Sequence, residues 1–207
     1  MSEKALIKVC GMREVDNIQA LLGLKPDFIG FIFYPPSMRY VSVLEDHDLD
    51  YGDTKKIGVF VNESKEAIEE KIQRFRLDGI QLHGRESPEF CRYFKDKVLV
   101  FKAFGIEVDL PENIKDYEGV VDLLVLDTKT PDHGGSGRTF NWQVLDDYSL
   151  NTPFLLSGGL SLEMVDEIKA FEHPRCQGVD LNSRFETSPG VKSIKQLTSL
   201  FKALRNE

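Results

Sequence analysis

The feature of this sequence that most restricts its fold is a regular alternation of short apolar runs with longer amphipathic stretches. Eight runs have the length, and most have the Val, Ile and Phe content, of strands that are buried on both faces. They are Ala5–Val9, Phe28–Phe33, Ile57–Val61, Gly79–Leu82, Val98–Phe104, Leu123–Leu126, Phe154–Leu156 and Gly178–Leu181. The alternation predicts parallel strands joined by helices, in either a closed eight-stranded barrel or an open doubly wound sheet.

Helix signals fill most of the intervals between these runs. Ser64 is a good N-cap for a helix that continues to Phe75, and Ser87 precedes a proline at the first turn of the next helix. Further helix-like segments are Arg13–Leu22, Pro111–Glu118, Asn141–Tyr148, Ser161–Phe171 and Val191–Leu204. Since Val43–Tyr51 is short and acidic, we expect a shortened second helix. Residues 1–207 contain no linker-like tract, so we predict one catalytic domain. The alternation favours a (β/α)₈ TIM barrel with short loops over the open sheet.

Composition argues against several kinds of partner. The net charge of −8 disfavours binding to nucleic acid or to an anionic membrane, and no apolar run approaches the length of a membrane span. The cysteine count is odd and no pair has C-x-x-C spacing, so we expect no disulfide framework, metal site or other cofactor. The N-terminus is too polar for a signal peptide, which predicts a cytoplasmic protein. Either a monomer or a homodimer fits the sequence.

Two reactive side chains come at the ends of predicted strands, where parallel barrels place their functional groups. Cys10 follows the first run and precedes Gly11. We expect its thiol near the N-terminus of the following helix, which would lower the thiol pKa and supply a base or nucleophile. A buried apolar filler is the alternative. Asp127 ends the sixth run, where partial burial would raise its pKa and suit a general acid; a loop-capping aspartate is the alternative.

Turns after the last two strands predict a phosphate site. Gly158 and Gly159 follow the seventh run, and Asn182 and Ser183 follow the eighth. Such turns in barrels commonly hold a phosphate with backbone N–H groups and a helix N-terminus. Two ordinary tight turns are the alternative.

Other polar residues predict pocket-lining positions. Arg39 lies in the second loop, where a fixed guanidinium would suit a carboxylate, although a solvated surface arginine is the alternative. Gln81 and His83 share one face at the end of the fourth run, so either could line the pocket, or His83 could be structural. The glycines of Gly134–Gly137, next to His133, predict a flexible lid over the mouth.

Taken in order and spacing, these fragments resemble the phosphoribosylanthranilate isomerase family along nearly the whole chain. The matching fragments are Lys8–Met12, Ser37–Val41, Gly58–Asn62, Gln81–Gly84, Asp127 with Gly134–Gly137 and Phe140–Trp142, Ser157–Leu160, Asp180 with Asn182 and Ser183, Glu186, and Pro189–Lys192. One departure is Arg184, where many relatives have glycine, and it touches the details of the phosphate loop.

The resemblance implies an Amadori rearrangement of N-(5-phosphoribosyl)anthranilate to 1-(2-carboxyphenylamino)-1-deoxyribulose 5-phosphate in tryptophan biosynthesis, without a cofactor. It makes Asp127 the acid that protonates the furanose ring oxygen, Cys10 the base that removes the C2 proton, and Arg39 the clamp on the anthranilate carboxylate. The glycine turn and the Asn182-Ser183 turn would hold the phosphate. The resemblance also makes Asp180 a substrate-binding residue, together with Gln81 and His83.

Two rival functions follow from the same residues. The barrel isomerase of histidine biosynthesis performs this rearrangement on a different aminated phosphoribosyl substrate, but that family pairs two aspartates, and Cys10 argues against it. A non-catalytic phosphosugar-binding barrel is the other rival. The joint presence of Cys10, Asp127 and Arg39 disfavours a mere binding module.

Overall fold

A computed structural model describes residues 5–46, 48–128 and 139–205. Eight parallel strands form a closed barrel in which each strand pairs with the next in sequence and the eighth pairs with the first. The strands are β1 Leu6–Cys10, β2 Phe28–Ile32, β3 Lys55–Phe60, β4 Gly79–Leu82, β5 Leu99–Ile106, β6 Leu123–Thr128, β7 Phe154–Leu156 and β8 Cys176–Leu181. All eight predicted strands are confirmed, and the sheet is the closed barrel.

Helices lie between the strands. They are α1 Val15–Leu22, α2 Lys65–Phe75, α3 Pro88–Phe94, α4 Val165–Ala170 and α5 Ile194–Arg205, with 3₁₀ helices at Glu112–Tyr117, Trp142–Asp147, Leu162–Met164 and Ser183–Phe185. The predicted caps are confirmed, because the hydroxyl of Ser64 accepts a hydrogen bond from Ala67 N–H and that of Ser87 accepts one from Phe90 N–H. Within the described ranges, no helix combines the length and the apolar character that crossing a membrane requires.

Two helix predictions change in the structure. Val191–Lys192 forms a short strand, β10, paired antiparallel with β9 at Glu186–Ser188, so the last helix begins only at Ile194. Gly190, at φ 85°, reverses the chain direction. The Lys192 N–H then donates to Asn17 Oδ1 and does not take part in a helical hydrogen bond. A shortened second helix was predicted at Val43–Tyr51, but the described residues between β2 and β3 contain no helix.

The barrel interior changes character along its axis. An apolar cluster fills part of it, made of Phe28, Ile57, Phe101, Ala103, Leu123, Val125 and Leu155. Three further interior positions carry polar side chains that are almost completely buried: Lys8, Gln81 and Asp180. A lysine and an aspartate inside a barrel require partners, because a lone buried charge is strongly unfavourable. Those partners define the candidate site.

Candidate active site

The two predicted reactive side chains point into the barrel at the rim formed by the carboxyl ends of the strands. Cys10 ends β1 and Asp127 lies near the end of β6, with β7 and β8 completing the ring between them. The Cys10 sulfur lies over Gly30 of β2, where an added Cβ would come within 2.7 Å of it. A glycine at that position therefore leaves the space that the thiol occupies.

An ion pair runs across the interior between β1 and β8. Lys8 Nζ donates to Asp180 Oδ2 at 2.8 Å, and both side chains are buried. Burial opposes the charge on Lys8, but the carboxylate of Asp180 and the sulfur of Cys10 together raise its pKa. Within the described part of the chain, Asp180 Oδ1 has no hydrogen-bond partner.

The Cys10 thiol has a different environment from the one that its sequence position suggested. Burial raises its pKa, whereas the sequence predicted that a helix N-terminus would lower it. That prediction was wrong because α1 begins only at Val15 and Cys10 itself is 4% exposed. The groups that favour the thiolate are the ammonium groups of Lys8 and Lys192, while Asp180 opposes it.

Asp127 has the raised pKa that its sequence position predicted. Burial and the negative charge of Asp180 raise its pKa to about 6, although the Thr128 N–H donates to its Oδ1 at 2.8 Å. His83 Nε2 lies 3.8 Å from Asp127 Oδ2, and His83 Nδ1 is 2.9 Å from Gln81 Nε2. His83 thus lies beside this carboxyl group, and Gln81 contacts His83.

Arg39 is held by an internal carboxylate and is not a solvated surface residue. Its Nε and Nη2 donate to the two oxygens of Glu186 at 2.8 and 2.7 Å. Glu186 Oε1 also accepts a hydrogen bond from Lys192 Nζ at 2.6 Å, and that ammonium donates in turn to Asn182 Oδ1 at 2.8 Å. Gly11 permits this packing, since a Cβ there would lie 2.8 Å from both Arg39 Cδ and Asn182 Oδ1.

The predicted phosphate turns follow adjacent strands. Gly158 and Gly159 have φ angles of 86° and 69°, which suit glycine. A Cβ at Gly158 would lie 2.7 Å from Asp127 Oδ1 and would overlap Thr128, so this turn packs directly against the Asp127 side chain. Asn182 Oδ1 accepts the hydrogen bond from Lys192 Nζ, and Ser183 opens a 3₁₀ helix.

Sequence reasoning missed three charged residues of this site. Lys8 could have been found from strand alternation, which puts it on the same face as Cys10. Glu186 and Lys192 were noticed only as parts of a family pattern, since nothing local indicates a buried pair. The predicted lid at Gly134–Gly137, with His133, lies outside the described residues. Among residues 5–46, 48–128 and 139–205, no cluster of three or more His, Cys, Asp or Glu side chains could hold a metal.

Comparisons with known proteins agree with these features. The sequence model of the N-(5'-phosphoribosyl)anthranilate (PRA) isomerase family matches residues 7–203. Proteins named N-(5'-phosphoribosyl)anthranilate isomerase match from Phocaeicola vulgatus, at 47% identity over 98% of both chains, and from Parabacteroides distasonis, at 43% over 96% of this chain and 93% of that protein.

Solved structures give the same result. The phosphoribosyl anthranilate isomerase of Thermotoga maritima is similar with a TM-score of 0.84 at 32% identity, covering 98% of this chain and 100% of that one. The Thermus thermophilus protein has a TM-score of 0.85 at 28% identity, covering 97% and 98%. A complex of such an enzyme with reduced 1-(o-carboxyphenylamino)-1-deoxyribulose 5-phosphate has a TM-score of 0.82 at 29% identity, covering 98% and 100%.

Proposed function

Because the chain belongs to the N-(5'-phosphoribosyl)anthranilate isomerase family, we propose that it converts N-(5-phosphoribosyl)anthranilate to 1-(2-carboxyphenylamino)-1-deoxyribulose 5-phosphate in tryptophan biosynthesis. The observation that carries this proposal is a thiol and a carboxyl group at one barrel rim, with the Lys8–Asp180 ion pair in electrostatic contact with both. On this proposal, residues 1–207 form one catalytic domain.

The reaction needs one proton delivered and one removed. Asp127 donates a proton to the furanose ring oxygen as the C1–O bond breaks, which leaves an open-chain iminium ion. Cys10, as the thiolate, removes the proton from C2, and the resulting enolamine tautomerises to the ketone. The pKa of about 6 supports the first role, because the carboxyl group retains its proton closer to neutral pH than an ordinary aspartate does.

The substrate is held at both ends. Arg39 binds the carboxylate of the anthranilate ring, and the backbone of the turns at Gly158-Gly159 and Asn182-Ser183 binds the phosphate. This arrangement is supported by the placement of Arg39 beside Gly11 and of Gly158 beside Asp127. Clamping both ends reduces the rotational freedom that would otherwise raise the barrier.

The sugar lies between these ends, against the polar interior. Asp180 Oδ1 and Gln81 Oε1 are buried acceptors without a partner in the described ranges, and sugar hydroxyls are suitable donors for them. His83 contacts the substrate beside the acid that it faces. These contacts would hold C2 of the sugar near the thiol.

Substrate fluorescence tests the proposal. Adding the protein should abolish the fluorescence of the aminated substrate, whereas Cys10→Ser and Asp127→Asn should each slow this loss by roughly 10²–10⁴-fold. Cys91→Ser is the matched control, since that buried cysteine lies on α3, and it should react at nearly the wild-type rate. Near-wild-type turnover in either site variant would remove that residue from the mechanism. Binding without consumption by the wild type would indicate a binding module instead.

A further inference from the structure

Glu186 is a carboxylate placed inside the proposed carboxylate site. Its side chain is 6% exposed and lies between the guanidinium of Arg39 and the ammonium of Lys192. The Gly190 N–H also donates to Glu186 Oε1, at 3.1 Å. An acidic residue beside the group that should bind an anionic substrate is unexpected on charge alone, so its geometry requires an explanation.

The geometry of the guanidinium supplies one. Arginine has five N–H donors in a planar fork, and Glu186 uses only the edge formed by Nε and Nη2. Across the described part of the chain, no hydrogen bond involves Nη1 of Arg39, so the edge formed by Nη1 and Nη2 can accept a second bidentate carboxylate. Glu186 therefore fixes the plane of the guanidinium without competing for the edge that a ligand would use.

The charges of the cluster are also compatible with an anion. Arg39 and Lys192 are cationic and Glu186 is anionic, which leaves one net positive charge when all three are ionised. Burial lowers the pKa of Lys192 to about 8, with Glu186 and Cys10 opposing the shift, so the ammonium remains mainly charged at neutral pH. The Lys192 side chain is completely buried against Glu186 and Asn182.

We propose that Glu186, held in place by Lys192, is a positioning residue that aims the outer edge of Arg39 at the carboxylate of the aromatic ring of the substrate. The proposal rests on the function proposed above. Lys192 restores the positive charge that Glu186 would otherwise cancel. Orientation and charge are thus supplied by two different residues, and they can be separated by experiment.

Equilibrium binding of two product analogues provides the test. One is the reduced aminodeoxyribulose phosphate with a 2-carboxyphenyl group, and the other has a plain phenyl group. In Glu186→Gln the dissociation constant of the carboxylated analogue should rise about tenfold or more, while that of the phenyl analogue changes less than about twofold. Charge alone predicts the opposite sign, because removing Glu186 makes the cluster more positive. Unchanged or tighter binding of the carboxylated analogue would overturn the proposal.

Three further variants complete the design. Arg39→Gln should abolish the preference for the carboxylated analogue, and Glu172→Gln, an exposed acid on the chain before β8, should change neither constant. The double variant Glu186→Gln/Lys192→Met restores the net charge but not the orientation, so it should remain weak. A return to wild-type affinity in the double variant would mean that charge matters and orientation does not, which refutes the proposal.

Folding and function are controlled separately. If Glu186→Gln does not fold, Glu186→Asp is the substitute, because it keeps the charge on a shorter side chain that cannot span both cations. It should weaken the binding of the carboxylated analogue only. Unchanged binding of that analogue by a folded Glu186→Asp would also refute the proposal. Because binding is measured without turnover, failure of the wild type to bind either analogue refutes the proposed function. A wild type that binds both, with folded Glu186 variants that bind equally well, refutes only the positioning role.

Discussion

The free energy of unfolding of Asp127→Asn, relative to that of the wild type, should be higher at neutral pH than at acid pH. Burial and the charge of Asp180 raise the pKa of this carboxyl to about 6 in the folded protein. The folded state therefore binds the proton more tightly than the unfolded chain does. That stabilisation is complete below about pH 4, the range of an unfolded aspartate, and it is lost as the pH rises through about 6. Asparagine cannot ionise, so the variant does not lose stability in this way as the pH rises.

The size of the effect follows from the difference between the two pKa values. The folded value of about 6 lies roughly two units above the reference of about 3.9, and each unit corresponds to about 1.4 kcal/mol. The whole difference would be about 3 kcal/mol, but 22% of the side chain is exposed and water screens part of the effect. We expect the free energy of unfolding of Asp127→Asn, relative to the wild type, to rise by about 1–3 kcal/mol between pH 4 and pH 7.

Urea unfolding of both proteins at several pH values measures this difference, and only its pH dependence matters, because the amide also changes local hydrogen bonds. Glu69→Gln is a control of opposite sign. Hydrogen bonds from Lys97 and Tyr93 lower the pKa of Glu69, so its contribution is lost as the pH falls, and its replacement should matter least in acid. A constant difference for Asp127→Asn, or one that falls with increasing pH, would show that this carboxyl has no raised pKa.

Three further predictions concern the reaction, the ion pair and the glycine turn. The kcat/KM should rise with pH up to about 6 and then level off, because each further gain in thiolate is matched by a loss of protonated Asp127; a rise that continues beyond pH 7 would contradict this pair of roles. Lys8→Met and Asp180→Asn should each lower the free energy of unfolding by about 3–5 kcal/mol, and the double variant should lose much less than the sum, as denaturant titration can test. Gly158→Ala should cost more stability than Gly119→Ala and should also slow turnover, because both have positive φ but only the first would press on the acid; equal unfolding midpoints and full activity would refute the contact.

The strands and caps could be predicted because their signals are local. An apolar run bounded by polar residues identifies each strand, and the hydroxyl of Ser64 caps a helix through an N–H only three residues later. Asp127 was found in the same way, as a polar residue that ends an apolar strand. The partners of the site could not be found locally, because Lys8 pairs with a residue 172 positions away and Arg39 with one 147 positions away. Those pairs exist only after the barrel has closed.

Closure of the barrel also explains why Cys10 and Asp127, the two proposed catalytic residues, have different environments, which their positions in sequence do not reveal. The Lys8–Asp180 pair influences the pKa of both groups, but a different member of the pair dominates at each. For the Cys10 thiol the stronger influence of the pair is the ammonium, which favours loss of the proton. For Asp127 the stronger influence is the carboxylate, which favours keeping it. One buried ion pair therefore shifts the base and the acid in the directions that their proposed roles require. Burial alone disfavours the charged form of both groups, so the orientation of the pair, together with the Lys192 ammonium near Cys10, sets their environments apart.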